Sequence, residues 1–137
     1  MIVVDTNLLS YFYIPGEHSQ EAEAVLKADP EWTAPRLWRS EFRNVLVTHL
    51  RRRVILRQDA LRMLHESELL MQDKEYEVSS SHVLDLSIKS ICSAYDCEFV
   101  ALAQELGVSL LTMDKQILSA FPETAVSPRE FLRLRER

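Results

Sequence analysis

Residues 1–10 read Met1-Ile2-Val3-Val4-Asp5-Thr6-Asn7-Leu8-Leu9-Ser10. Three apolar, β-branched residues, Ile2 to Val4, run straight into an acid. β-Branched residues suit strands, and an apolar run without polar alternation suits a strand covered on both faces of a parallel sheet. A strand over residues 2–5 needs no carboxylate at its tip. Asp5 therefore holds something: the free N–H groups of a following helix, or a cation.

The rest of the chain repeats the alternation. Gly16-Glu17-His18 opens a helix through about Ala28, with Ala22, Val25 and Leu26 on one side. Trp32-Thr33-Ala34 reads as a short strand stopped by Pro35, a residue suited to the first turn of a helix reaching about Arg52. A helix over about Gln58–Gln72 offers Leu61, Leu64, Leu69 and Met71 to a core. Tyr76-Glu77-Val78 predicts a strand; His82–Ile91 and Ala94–Leu106 predict helices, the second closed by Gly107. Strands follow at Ser109–Thr112 and Thr124–Val126, with helices at Lys115–Ala120 and Pro128–Leu134. Strands alternating with helices predict an α/β fold with a parallel sheet between helical layers. Ligands of such sheets sit beyond the carboxyl ends of the strands. Asp5 and Asp114, each just past a strand, lie on that edge.

Length and composition narrow the class. The chain has 137 residues, 47% hydrophobic and 27% charged, which suits one globular domain over residues 1–137. No apolar run approaches the roughly 20 residues of a membrane span, and no basic segment precedes an apolar one as in a signal peptide. A cytoplasmic protein is expected. Cys92 and Cys97 lack the C-x-x-C spacing of a redox or zinc motif and predict reduced thiols. The net charge of −5 disfavours a nucleic-acid binder working by global attraction. It leaves room for an enzyme that meets phosphate through a metal held by acids.

Two further acids stand out. On the helix Arg36–Leu50, Leu37, Trp38, Phe42, Val45 and Leu46 share one apolar arc, and Glu41 lies inside it. A glutamate there is paired, bound to a cation, protonated, or reaching to water at the stripe's edge. Asp96 follows Ser93 by three residues, which fits the N3 position of a capping box as well as a place at the sheet's rim. Thr6 and Thr112 stand where they can orient a carboxylate or a bound water.

Taken in order, VVDTNLLSYF, the helical Glu in RSEFRNVL and YDCEFVALAQELGVSLLTMD resemble the PIN-domain ribonucleases, and more narrowly the toxins of the virulence-associated (VapBC) toxin–antitoxin pairs. The similarity spans roughly residues 2–126. It implies an α/β/α sandwich with a short central parallel sheet. It implies that Asp5, Glu41, Asp96 and Asp114 form one acidic pocket, with Thr6, Asn7 and Thr112 in support. The family often carries a further acid after the last aspartate; here Lys115 and Gln116 follow.

The chemistry so implied is hydrolysis of RNA phosphodiester bonds with Mg²⁺, or Mn²⁺ in its place, leaving a 5′-phosphate and a 3′-hydroxyl. Hard divalent ions prefer oxygen ligands, and no Cys/His cluster suited to zinc is visible. Asp5, Asp96 and Asp114 are expected as metal ligands; Glu41 is a ligand or a base for the attacking water. The resemblance further implies an antitoxin on a separate chain, covering the acidic pocket, and self-pairing of the toxin into a homodimer. The alternatives are a PIN-type nuclease outside toxin–antitoxin systems, a receiver-like phosphoacceptor, and an inactive binding module. Lys115 directly follows Asp114, which does not suit a receiver.

The remaining polar residues carry plainer expectations. Arg36, Arg39 and Arg43 share a helical face opposite Glu41 and read as a solvated surface or a contact for a partner or RNA flank. Arg51-Arg52-Arg53 complements a helix C-terminus. His18, His49, His65 and His82 lack metal spacing and read as structural or solvent-facing. Trp32 and Trp38 read as core or interface residues.

Overall fold

The computed structural model describes residues 1–136 of the chain. Five parallel strands form one sheet in the order β3-β2-β1-β4-β5: β1 (Ile2–Val4), β2 (Trp32–Pro35), β3 (Glu75–Tyr76), β4 (Leu110–Leu111) and β5 (Ala125–Val126). Eight helices flank it among the described residues: α1 (Thr6–Tyr13), α2 (Ser19–Ala28), α3 (Trp38–Arg51), α4 (Arg57–Leu70), α5 (Ser80–Ile88), α6 (Ala94–Leu106), α7 (Lys115–Ala120) and α8 (Pro128–Arg135). This is the PIN-like α/β/α architecture expected from the sequence. None of these helices is long and apolar enough to cross a membrane.

The strands are buried and apolar, as a doubly covered sheet requires. Val3, Val4, Leu110 and Leu111 are fully buried, and Val3 pairs with both Thr33 and Leu110. Helix α6 lies on β1, β2 and β4 and also touches α5; α1 touches α2, α3 and α4. The chain lays β1, β2 and β3 outward in one direction, then returns to the other side of β1 for β4 and β5. The switch point between β1 and β4 is where an open α/β sheet leaves its ligand crevice. Asp5 and Thr112 close the two strands there.

Several boundaries differ from the sequence reading. Helix α1 fills residues 6–13, where no element was expected. Its sequence, TNLLSYFY, spans only about two turns, too short to establish a helical period; Leu8, Leu9, Thr6 and Ser10 are all buried. Helix α2 starts at Ser19, because the Ser19 hydroxyl accepts the Gly16 N–H at 2.9 Å and holds residues 16–18 in a turn. Pro35 belongs to β2 and does not open α3, which begins at Trp38. The ladder to β3 uses the N–H groups of Ala34 and Arg36, bonded to Lys74 and Tyr76 carbonyls at 3.2 Å each, so proline's missing donor is not needed on that side. Strand β3 covers Glu75–Tyr76, not Tyr76–Val78, and α5 spans Ser80–Ile88, not His82–Ile91.

Helix α4 is turned from the expected face. Ala60, Met63 and Ser67 are buried, whereas Leu61 and Leu69 are 48% and 56% exposed. Leu64 packs on the core from its edge, and Met71 is buried just beyond the helix. Residues 60, 63 and 67 keep the i, i+3, i+7 spacing of one stripe; the leucines sit beside it.

Trp32 and Trp38 are core residues with no exposed surface. Cys92 and Cys97 are buried free thiols, as expected. Arg39 is neither a solvated surface residue nor a free contact. Its Nε and Nη2 bond Glu75 Oε2 and Oε1 at 2.6 and 2.8 Å, and Trp38 Nε1 donates to Glu75 Oε2 at 2.7 Å. This clamp ties α3 to β3, and the Arg39 guanidinium holds the Glu75 carboxyl below its ordinary range.

Candidate functional site

Each of the expected acids sits where local folding rules put it. Asp5 is the N-cap of α1: its Oδ1 accepts the Leu8 N–H at 2.9 Å. Asp114 is the N-cap of α7, accepting from Gln116 and Ile117 N–H groups at 2.8 and 3.1 Å. Asp96 lies in the first turn of α6, whose N-cap Ser93 accepts the Asp96 N–H at 3.0 Å. Glu41 stands in the first turns of α3, half-buried between Trp38 and Phe42, which are wholly buried. The capping readings of Asp5 and Asp114 are therefore true, and they do not exhaust what the residues do.

The structure brings the acids together. Asp5, Glu41, Asp96 and Asp114 line one cavity of about 240 Å³, with Thr6, Asn7 and Asn44. Val45, Phe99 and Ile117 complete its wall. Two threonine hydroxyls fix two of the carboxylates. Thr112 Oγ1 donates to Asp5 Oδ2 at 2.6 Å and accepts the Asp114 N–H at 3.0 Å, so one buried hydroxyl links the ends of β1 and β4. Thr6 Oγ1 donates to Glu41 Oε1 at 2.6 Å and joins α1 to α3. The Asp96 carboxylate accepts no hydrogen bond among the described residues.

Burial, with a smaller part from mutual repulsion, raises the proton affinity of Asp5 and Glu41. Asp5 is 8% exposed. Its pKa is pushed up to about 6, chiefly by burial; the bonds from Thr112 and Leu8 pull it down, and Glu41 and Asp114 push it further up. Burial also raises Glu41, against the Thr6 bond and with help from Asp96. Glu98, outside the cavity, is raised by burial and by the charge of Glu41. Carboxylates that resist ionisation because they face one another are relieved by a cation.

The donor chemistry fits a hard divalent ion: the polar lining is oxygen-rich and holds neither cysteine nor histidine. Among the described residues no three acid, histidine or cysteine side chains stand close enough together to hold a metal ion between them. A Mg²⁺ ion takes only one or two carboxylates directly and keeps several waters.

Three lining residues, Asn44, Phe99 and Ile117, escaped the sequence reading. Asn44 lies three residues after Glu41, one helical turn along α3, and that spacing was the available signal. Phe99 stands three residues after Asp96 on α6 in the same way. Lys115 is exposed and absent from the lining.

A receiver-like fold has the strand order 2-1-3-4-5; the order here, β3-β2-β1-β4-β5, differs. The PIN domain family matches residues 2–123. Ribonuclease VapC3 of Pyrobaculum aerophilum is 31% identical over 124 residues, covering 88% of this chain and 95% of that protein. The crystal structure of PAE2754 from Pyrobaculum aerophilum is similar with a TM-score of 0.72 at 20% identity, covering 99% of this chain and 97% of that one. A toxin–antitoxin complex from Klebsiella pneumoniae contains a chain similar with a TM-score of 0.67 at 17% identity, covering 93% and 98%. At those identities the two structures speak for the fold alone. The chain belongs to the PIN-domain family, and within it to the VapC-like members.

Proposed function

We propose that the chain is a Mg²⁺-dependent endoribonuclease, with Mn²⁺ as a substitute ion, and that it is the toxin of a toxin–antitoxin pair. The single observation that carries the nuclease reading is the meeting of Asp5, Glu41, Asp96 and Asp114 in one cavity at the sheet's switch point. The ribonuclease name of the VapC3 relative supports RNA as the substrate. The toxin–antitoxin complex among the structural neighbours is in keeping with an antitoxin on a separate chain; that this antitoxin covers the acidic pocket is part of the proposal. A homodimer in the cytoplasm completes the reading.

The divalent ion, when bound, lowers the pKa of a coordinated water and neutralises charge growing on the phosphate. Asp5, Asp96 and Asp114 hold it, directly or through water. The Thr112 hydroxyl keeps Asp5 turned toward the cavity, and Thr6 occupies Oε1 of Glu41. Glu41 serves as a ligand or takes the proton of the attacking water, and its raised proton affinity suits the second role. The leaving 3′-oxygen departs with a proton from solvent, and the product carries a 5′-phosphate.

The test is direct. Purified protein incubated with structured RNA is expected to cut it with Mg²⁺ or Mn²⁺ and not with EDTA. Asp5→Asn is expected to abolish the cleavage and keep the fold. Equal cleavage by the variant, or cleavage in EDTA, overturns the reading. Expression of the chain alone is expected to arrest bacterial growth; unimpaired growth with intact nuclease activity assigns it to RNA processing instead.

A further inference from the structure

Two further cavities lie in line beside the acidic one, and together we read them as one groove. Asn7 and Val45 also line a second cavity of about 360 Å³, bounded by Tyr11, His18 and His49. His49, Ile14 and Pro15 are shared in turn with a third cavity of about 620 Å³, whose wall carries Arg52. The three follow α1 and α3 away from the carboxylates.

The middle cavity is furnished for a flat polar ring. The Tyr11 and His18 rings lie 4.7 Å apart, tilted by 46°. His49 Nδ1 lies 2.9 Å from the Val45 carbonyl oxygen. A carbonyl only accepts, so in the neutral ring Nδ1 carries the proton and Nε2 is an acceptor. The Tyr11 hydroxyl, like any phenol at neutral pH, carries a proton it can donate. Tyr11, His18 and His49 thus give one cavity beside the acids a hydroxyl donor, an imidazole acceptor and the outer surface of a packed ring pair. At the far end Arg52 is exposed and has no ion-pair partner among the described residues.

We propose that this groove carries a single RNA strand, with the nucleobase beside the cleaved phosphate seated among Tyr11, His18 and His49 and a further phosphate at Arg52. The proposal rests on the nuclease reading above and adds the part of the site that chooses the sequence. Proteins read single-stranded RNA by stacking bases on rings and bonding their polar edges. His49 Nε2 and the Tyr11 hydroxyl match an edge that shows one donor and one acceptor. The carboxylates repel the phosphate backbone, so a strand needs a cation beyond them, and an arginine is the usual phosphate ligand. A partner's peptide tail is the rival occupant; it has no requirement for aromatic surface beside a hydrogen-bond donor and an acceptor.

The experiment compares short single-stranded RNAs that differ only in one base next to the cut, or lack it. Cleavage by the unaltered protein is expected to vary about tenfold among bases at one flanking position. His49→Leu and Tyr11→Leu are expected to flatten that preference to within about threefold, and His49→Gln, which retains a hydrogen-bonding atom, to restore part of it. Binding of the same RNAs to Asp5→Asn, followed by fluorescence anisotropy, gives a readout independent of cleavage. There the missing base is expected to weaken binding about tenfold, and adding His49→Leu is expected to erase that penalty. Absence of cleavage by any RNA defeats the nuclease reading, while the anisotropy still decides the groove. A preference unchanged in both variants, no preference at all, or binding indifferent to His49 and Tyr11 overturns the proposal and leaves the groove to a peptide.

Discussion

Replacing Asp5 with asparagine is expected to make the metal-free protein more stable at pH 7, although it destroys the proposed site. The folded pKa of Asp5 is about 6, against an ordinary 3.8. That gap, about 2.2 units, corresponds to roughly 3 kcal/mol of penalty on the charged form. Asparagine removes the charge and caps a helix as well as aspartate does. It cannot accept the Thr112 hydroxyl and the Leu8 N–H with both of its polar atoms, which costs about 1 kcal/mol. Loss of a negative charge at the α1 N-terminus costs about 0.5 kcal/mol more. The net expectation is a gain of about 1–2 kcal/mol at pH 7.

The pH dependence carries the sign. Below pH 3.8 the carboxyl is protonated whether folded or unfolded, and the penalty is absent. Between 3.8 and about 6 the folded protein holds a proton that the unfolded chain has released, so stability falls as pH rises. Above 6 the full penalty applies. Urea unfolding of both proteins in EDTA, at intervals from pH 4 to pH 7.5, isolates the difference. The variant's advantage is expected to grow across that window and then level. Added Mg²⁺ is expected to reverse it, because an ion that binds only the folded, unaltered site stabilises that protein alone. A variant less stable at pH 7, or an advantage that does not change with pH, refutes the reasoning.

Thr112→Val is expected to cost about 1–3 kcal/mol by leaving the buried Asp5 carboxylate and the Asp114 N–H without their shared partner, measured by thermal or urea unfolding. Glu41→Gln is expected to fold normally and to lower the rate of RNA cleavage by about 100-fold or more in single-turnover assays. Glu75→Ala is expected to destabilise the chain by about 2 kcal/mol, since it strips partners from Arg39 and Trp38 Nε1 together; urea unfolding reads the loss.

The sequence shows the sheet and the acids for a local reason. Runs such as Ile2–Val4 and Leu110–Leu111 are short and apolar, with an acid directly after the first and three residues after the second, so their role and direction are written in nearby residues. Helix α6 is bracketed by Ser93 and Gly107, whose φ of +67° suits glycine at a helix end, and its bounds match the expectation. Helix α1 leaves no such trace: TNLLSYFY spans only about two turns, its polar Thr6 and Ser10 are buried with Leu8 and Leu9, and only the sheet and its neighbours decide that it is helical. Helix α4 misleads because leucines lie beside its buried stripe, and only packing against α1 and α3 selects Ala60, Met63 and Ser67. The Arg39–Glu75 clamp joins residues 36 apart, a pairing no local pattern reveals. The carboxylates could be named singly from strand ends and a helix stripe. The threonine bridges that fix two of them, and Asn44 beside them, needed the fold.

The most direct measurement is anomalous X-ray diffraction from crystals soaked in Mn²⁺. A manganese peak in the cavity between α1, α3, α6 and α7, within bonding distance of carboxylate oxygens from Asp5, Asp96 or Asp114, is the expected result. Manganese bound only elsewhere, with those oxygens left to water, contradicts the claim that the acids assemble to hold a catalytic ion.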